Sequence, residues 1–176
     1  MKKIYFLGVI LSLMLTGCAT SVTKDITTAA VADPTVNFRG YKSYAWLGDM
    51  GVLNDPEGKW QPPKMNIAED IKFLIDRELR KRGIYNNAEN PDLAVAFFMG
   101  VDMDAMELKT DPKSKQEMLT NVPEAALVVA LIDPYTGYWV WLGESEGELQ
   151  KNPTDEVIRK RLDYAVTEMF KKLPKD

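Results

Sequence analysis

The chain has 176 residues, with 22 Lys and Arg against 26 Asp and Glu and a net charge of −4 at pH 7. It holds one cysteine and no histidine, which excludes Ser-His-Asp and Cys-His catalysis, ordinary zinc sites and any disulfide within the chain. The acidic balance argues against nucleic acid as a partner, because phosphate backbones demand clustered Lys and Arg, and gives no electrostatic reason to adhere to anionic lipid.

The first element is a targeting segment. Met1-Lys2-Lys3 is a positive start, and Ile4 to Leu15 is an apolar run of 12 residues. That run suits a signal peptide and falls short of the roughly 20 residues needed to span a bilayer core. Leu15-Thr16-Gly17-Cys18 closes it and has the form of a bacterial lipobox. Cleavage is expected between Gly17 and Cys18, with a diacylglycerol on the Cys18 thiol. One acyl chain holds a protein at a membrane only marginally, whereas two or more hold it stably. Residues 1–17 are thus read as signal peptide, 18–36 as the lipidated N-terminus and tether, and 37–176 as a single domain. Ala19, rather than Asp, after the cysteine directs export to the outer membrane under the sorting rule of enteric-type envelopes.

Ala19 to Asp33 is poor in bulky residues and reads as a tether that becomes an edge strand near Ile26. Phe38 to Leu47 is aromatic-rich and extended. Gly48 to Pro63 is a long loop punctuated by glycine and proline, with Trp60 expected to plug the edge of the core. Asn66 to Gly83 predicts a helix: Asn66 and Glu69 give a capping signal, and Ile67, Ile71, Leu74, Ile75 and Leu79 form one apolar stripe. Gly83 supplies the stop. Arg77 to Arg82 is explained by the negative end of the helix dipole without a ligand.

Leu93 to Met99 is apolar on both alternating faces, as for a strand covered on both sides, or on one side with small residues facing a helix. Residues 100–124 lose the pattern and predict a long excursion, partly helical around Met103 to Leu108. Ala125 to Ile132 and Tyr138 to Leu142 predict a β-hairpin through Asp133-Pro134-Tyr135-Thr136-Gly137. Asn152-Pro153-Thr154 opens a second helix with Pro153 in its first turn and a stripe of Ile158, Leu162, Ala165, Met169 and Leu173. This order predicts an α+β fold, a largely antiparallel sheet with two helices packed on one face.

Several motifs suggest chemistry and weaken on inspection. Gly143-Glu144-Ser145-Glu146-Gly147 matches a nucleophile elbow in form, but the elbow needs a histidine base and an oxyanion hole, and two glutamates flank the serine. Met99, Met103 and Met106 have the spacing of a thioether copper site and equally of an amphipathic helix, and packing is the expected role. Asp102, Asp104 and Glu107 miss the calcium-loop pattern and lack its glycine. Trp139 and Trp141 sit at strand spacing on one face, where stacking on sugar competes with burial, and burial is expected. No catalytic or metal residues are assigned, and no cofactor beyond the covalent lipid on Cys18.

Tyr41-Lys42-Ser43-Tyr44-Ala45-Trp46, Asn90-Pro91-Asp92-Leu93-Ala94-Val95, and Asp133-Pro134-Tyr135-Thr136-Gly137 followed by Val140-Trp141 occur in this order behind the lipobox. In this the chain resembles a bacterial lipoprotein family, the domain-of-unknown-function family 4136, over roughly residues 20 to 173. The resemblance implies an envelope location and a non-enzymatic default, and carries over no catalytic residues. Residues 100–124 depart from it: similar proteins commonly have Gly- and aromatic-rich loops there, whereas this segment is acidic and Met-bearing.

The sequence thus predicts a non-catalytic, membrane-anchored envelope protein whose periplasmic domain binds an envelope protein or supports an envelope assembly. The second expectation is a carrier of a small apolar ligand, and the third a histidine-free hydrolase.

Overall fold

The computed structural model describes residues 22–49, 51–53, 60–87, 89–110, 115 and 117–175. Its strands are β1 (Thr27–Ala32), β2 (Ser43–Trp46), β3 (Gly51–Leu53), β4 (Tyr85–Asn86), β5 (Leu93–Asp102), β6 (Met106–Thr110), β7 (Glu117–Asn121), β8 (Glu124–Ile132) and β9 (Trp139–Glu148). Helix α1 (Ile67–Arg80) lies between β3 and β4, and helix α2 (Asp155–Lys171) follows β9. The main sheet has seven strands in the order β1-β9-β8-β5-β2-β4, with β3 also on β5. The long ladders β1/β9, β9/β8 and β8/β5 are antiparallel, and the short β2, β3 and β4 join in parallel. Parallel neighbours need a crossover, and α1 provides it between β2 and β4.

The α+β class is as the sequence predicts. Asn66 caps α1 by accepting from the Glu69 N–H at 3.2 Å. At the other end Gly83 takes φ +75°; its N–H donates to Arg80 O at 2.9 Å, and that of Ile84 to Leu79 O at 3.1 Å. That pair is the Schellman closure, which requires a left-handed residue. The five stripe residues of α1 are all buried. They share one core with Leu93, Val95, Phe97, Met99 and Val101 of β5, with β8, and with Val166, Met169 and Phe170 of α2. The opposite face of β5 carries Ala94, Ala96, Phe98 and Gly100, and Phe98 remains 36% exposed.

The helices run parallel: Asp70 meets Arg159, Arg77 meets Asp163, and Arg82 meets Phe170 and Leu173. The domain is therefore polarised. One end holds both helix N-termini and the Glu124/Glu148 end of the β8–β9 ladder; the other holds both helix C-termini and the Asp133–Gly137 turn.

Five expectations need correction. Phe38 to Leu47 is not extended throughout: Phe38–Gly40 is a 3₁₀ turn capped by Asn37, and the strand spans only Ser43–Trp46. The Gly48–Pro63 loop contains β3, because residues 51–53 find the open side of β5. The excursion at 100–124 has no helix at Met103 to Leu108: β5 runs on to Asp102, and β6 and β7 form a separate two-stranded hairpin. Its period-2 alternation, Met106 and Leu108 against Lys109, belongs to a strand. In α2 the N-cap is Thr154, whose side chain accepts from the Val157 N–H at 3.3 Å, so Pro153 precedes the helix. The buried face of α2 includes Val166 and Phe170 beside Ala165, Met169 and Leu173, while Ile158 and Leu162 are only half-buried.

Candidate functional site

The signal segment 1–17 and the lipobox, with Gly17 and Cys18, lie outside the described residues. At Val22, the first described residue, a largely buried arginine holds the chain. Arg161 of α2 donates from Nη1 to Val22 O and to Asp25 Oδ1, the latter at 2.8 Å. Its Nη2 donates to Asp25 Oδ2 at 2.6 Å and to Glu148 O at 2.9 Å. Asp25 Oδ2 also accepts from the Glu148 N–H at 2.9 Å. The guanidinium is 13% exposed and the carboxylate 20%. The Arg161 hydrogen bonds hold the Asp25 carboxyl below its usual range. A planar fork on a carboxylate fixes direction as well as distance, so this clasp fixes Val22 and Asp25 against α2 and the end of β9. Asp25 and Arg161 carry no motif, and 136 positions separate them; only the fold brings them together.

The β6–β7 hairpin lies beside the clasp. Lys109 Nζ contacts Glu148 Oε1 at 2.6 Å, on the residue whose backbone Asp25 and Arg161 hold. Leu108 pairs with Leu119, and the outward face shows Met106 at 51%, Leu108 at 68% and Leu119 at 63% exposure. Met99 is a buried strand residue, Met103 packs against the core edge and Met106 is exposed, so the three methionines share no helical face. Asp102 accepts from the Asp104 N–H at 2.9 Å in a local turn. Among the described residues no group of three or more Cys, Asp or Glu side chains is placed to hold a metal ion.

Gly143 to Gly147 runs inside β9 and forms no strand-to-helix turn. Its glycines have packing reasons. A Cβ on Gly143 would lie 2.2 Å from Trp141 Cη2 and 2.5 Å from Met169 Cγ; one on Gly147 would lie 2.9 Å from Arg161 Nη2. Ser145 is buried at 4% exposure between them. Trp139 and Trp141 do not share an environment: the ladder slips by one residue at Leu131/Ile132, leaving Trp139 44% exposed and Trp141 fully buried against Phe170. A bulge turns neighbouring side chains to different faces. Trp60 packs half-buried against the core edge.

The opposite end holds a cleft of about 580 Å³ between the helix C-termini and the 3₁₀ turn Phe38–Gly40. Phe38, Ile84, Phe170 and Leu173 floor it, and Arg39, Lys42, Lys81, Arg82, Lys171 and Lys175 rim it. Arg82 is committed to structure: it donates to Phe170 O at 2.6 Å, Leu173 O at 2.8 Å and Pro174 O at 2.8 Å, satisfying carbonyls at the end of α2. Lys81 pairs with buried Glu78 at 2.8 Å and Lys171 with Glu168 at 2.5 Å. The basic run of α1 is thus used largely within the domain.

The motif residues behind the family resemblance also have structural work. Asp92 Oδ2 accepts from the Lys42 N–H at 2.8 Å, the Ser43 N–H at 2.9 Å and Ser43 Oγ at 2.9 Å, tying β2 to the start of β5. These bonds, that of the Lys42 N–H foremost, lower the Asp92 pKa. Asp133 Oδ1 accepts from the Tyr135 N–H at 2.7 Å and the Thr136 N–H at 3.2 Å, and Gly137 takes φ +75°. Among the described residues no helix is long and apolar enough to cross a membrane.

Known structures with this architecture include a DUF4136 family protein from Bacteroides thetaiotaomicron, at 14% identity and a TM-score of 0.55, covering 86% of this chain and 97% of that one. A PelC L103M dodecamer from Paraburkholderia phytofirmans is similar at 14% identity and a TM-score of 0.47, covering 85% and 99%. A minor lipoprotein from Acinetobacter baumannii is similar at 12% identity and a TM-score of 0.37, covering 76% and 93%. No curated protein sequence matches the chain. The family model for the domain of unknown function DUF4136 matches residues 29–175, and the chain belongs to that family.

Proposed function

We propose that this protein is a lipoprotein anchored through Cys18 on the periplasmic face of the outer membrane. Its domain is non-catalytic and binds an envelope protein or supports an envelope assembly. The observation that carries this reading is the clasp at the entrance to the fold. Arg161 fixes Val22 and Asp25, only a few residues after a cysteine with lipobox spacing. An acylated Cys18 would then present the domain to its surroundings from one defined end. No cofactor other than the lipid belongs to this reading. Fatty-acid labelling tests the anchor: Cys18→Ala abolishes incorporation, and continued labelling of that variant refutes the assignment. Crosslinking in living cells tests the partner; recovery of bulk envelope proteins alone counts against the assembly role.

A second reading, a carrier of a small apolar ligand, draws on the apolar floor of the distal cleft. Arg39, Lys42 and Lys175 on the rim would suit an apolar ligand that carries an anionic head. Displacement of a fluorescent fatty acid from the purified domain supports it, and no saturable binding refutes it.

A further inference from the structure

Resting on the lipid anchor just proposed, we infer that the β6–β7 hairpin lies on the bilayer that holds Cys18, with Met106, Leu108 and Leu119 in the interfacial layer. The hairpin is built the wrong way round for water. A strand on a soluble domain turns apolar residues inward and charged ones outward. Here Lys109, on the face towards β9, reaches Glu148 with its side chain 40% exposed, while its neighbour Leu108 and the cross-strand partner Leu119 on the other face stand 68% and 63% exposed. An exposed apolar pair on a two-stranded hairpin gives that hairpin no stability in water, and such hairpins are marginal alone. Apolar-out alternation is the pattern of strands that face lipid.

Chain length identifies the occupant. Four residue steps separate Cys18 from Val22, a reach of at most about 14 Å when fully extended. Val22 is fixed by Arg161, Arg161 holds Glu148, and Glu148 holds Lys109. An acyl chain on Cys18 therefore keeps the bilayer surface within a short span of the hairpin. Two contacts with the same membrane reinforce each other, because the anchor makes the second one intramolecular. The Asp133–Gly137 turn stands at the far end of the nine-residue strand β8, roughly 30 Å away at strand rise.

The test uses the acylated full mature protein, purified from membranes and reconstituted into phosphatidylethanolamine–phosphatidylglycerol vesicles. Leu108→Cys and, separately, Tyr135→Cys carry a thiol-reactive, environment-sensitive fluorophore; both positions are exposed, at 68% and 85%. An acylated Cys18 has no free thiol, so each variant takes one label per chain. Two labels per chain would refute the anchor itself, independently of the hairpin. With one label, the expected result is blue-shifted emission at residue 108 that lipid-borne nitroxide quenches, with residue 135 unshifted and unquenched. Solvent-like emission at both positions overturns the inference, as does equal quenching at both. A shift at 108 that follows protein concentration instead of lipid also overturns it and assigns the face to a second copy of the chain.

Discussion

Removing the Asp25 carboxylate tests the clasp most directly. In Asp25→Ala, Arg161 keeps only the carbonyls of Val22 and Glu148 as partners from this network, at a site where the guanidinium is 13% exposed. Breaking a fully buried pair by deleting one partner costs about 3–5 kcal/mol. The residual exposure here admits some water, which places the expected loss at about 2–3 kcal/mol. For a domain of this size that lowers Tm by about 5–10 °C. Thermal unfolding of Cys18→Ser chains lacking residues 1–17, with and without Asp25→Ala, measures it. The loss also has a pH signature. Because Arg161 lowers the Asp25 pKa from an ordinary 3.8, the stabilisation is fully present above that value and fades as pH falls through the folded pKa. The difference between the parent and Asp25→Asn should be flat from about pH 5 to 8 and close below about pH 4. A loss under about 1 kcal/mol, or a difference that closes on the alkaline side, would refute the view that Asp25 and Arg161 act as a buried pair.

Other substitutions probe the motifs. Gly143→Ala forces Trp141 and Met169 to move and should cost about 1–3 kcal/mol, read by urea unfolding; an unchanged midpoint refutes the packing account. Asp92→Ala frees two backbone N–H groups and the Ser43 hydroxyl and should cost about 1–3 kcal/mol, with amide exchange rising first in β2. Tyr44 is fully buried and donates to Asp76 Oδ1 at 2.9 Å; burial and that carboxylate push its phenol above the usual range. Tyr44→Phe should cost about 1 kcal/mol and remove a phenol that resists alkaline titration in the parent's ultraviolet spectrum.

Local chemistry made much of the fold legible. The stripe of α1 and its Gly83 stop follow from helix geometry, and the Asp133–Gly137 turn from the φ that only glycine adopts freely. The 100–124 segment was less legible because Met99, Met103 and Met106 fit a helical period, whereas Met106 and Leu108 against Lys109 fit a strand. Short windows carry both signals, and pairing with residues 117–121 decided between them. Likewise Trp139 and Trp141 stand two apart and were expected on one face; a single slip in the β8–β9 ladder separated them.

The anchor reading rests on residues 1–18, where spacing and residue type supply the whole signal and no tertiary contact is needed. The boundaries of α1 and the main hairpin depend on neighbours within a few positions, so the sequence alone specified them, whereas the start of α2 fell at Thr154 instead of Pro153. The clasp of Arg161 on Val22 and Asp25, the inverted Leu108–Leu119 face and the close approach at Gly143 join positions far apart in the chain or depend on which face a strand turns to the core. No local propensity encodes those relations. The tertiary structure decided them, because the seating of Val22 and Asp25 on Arg161 and the exposed face of the hairpin are properties of packing.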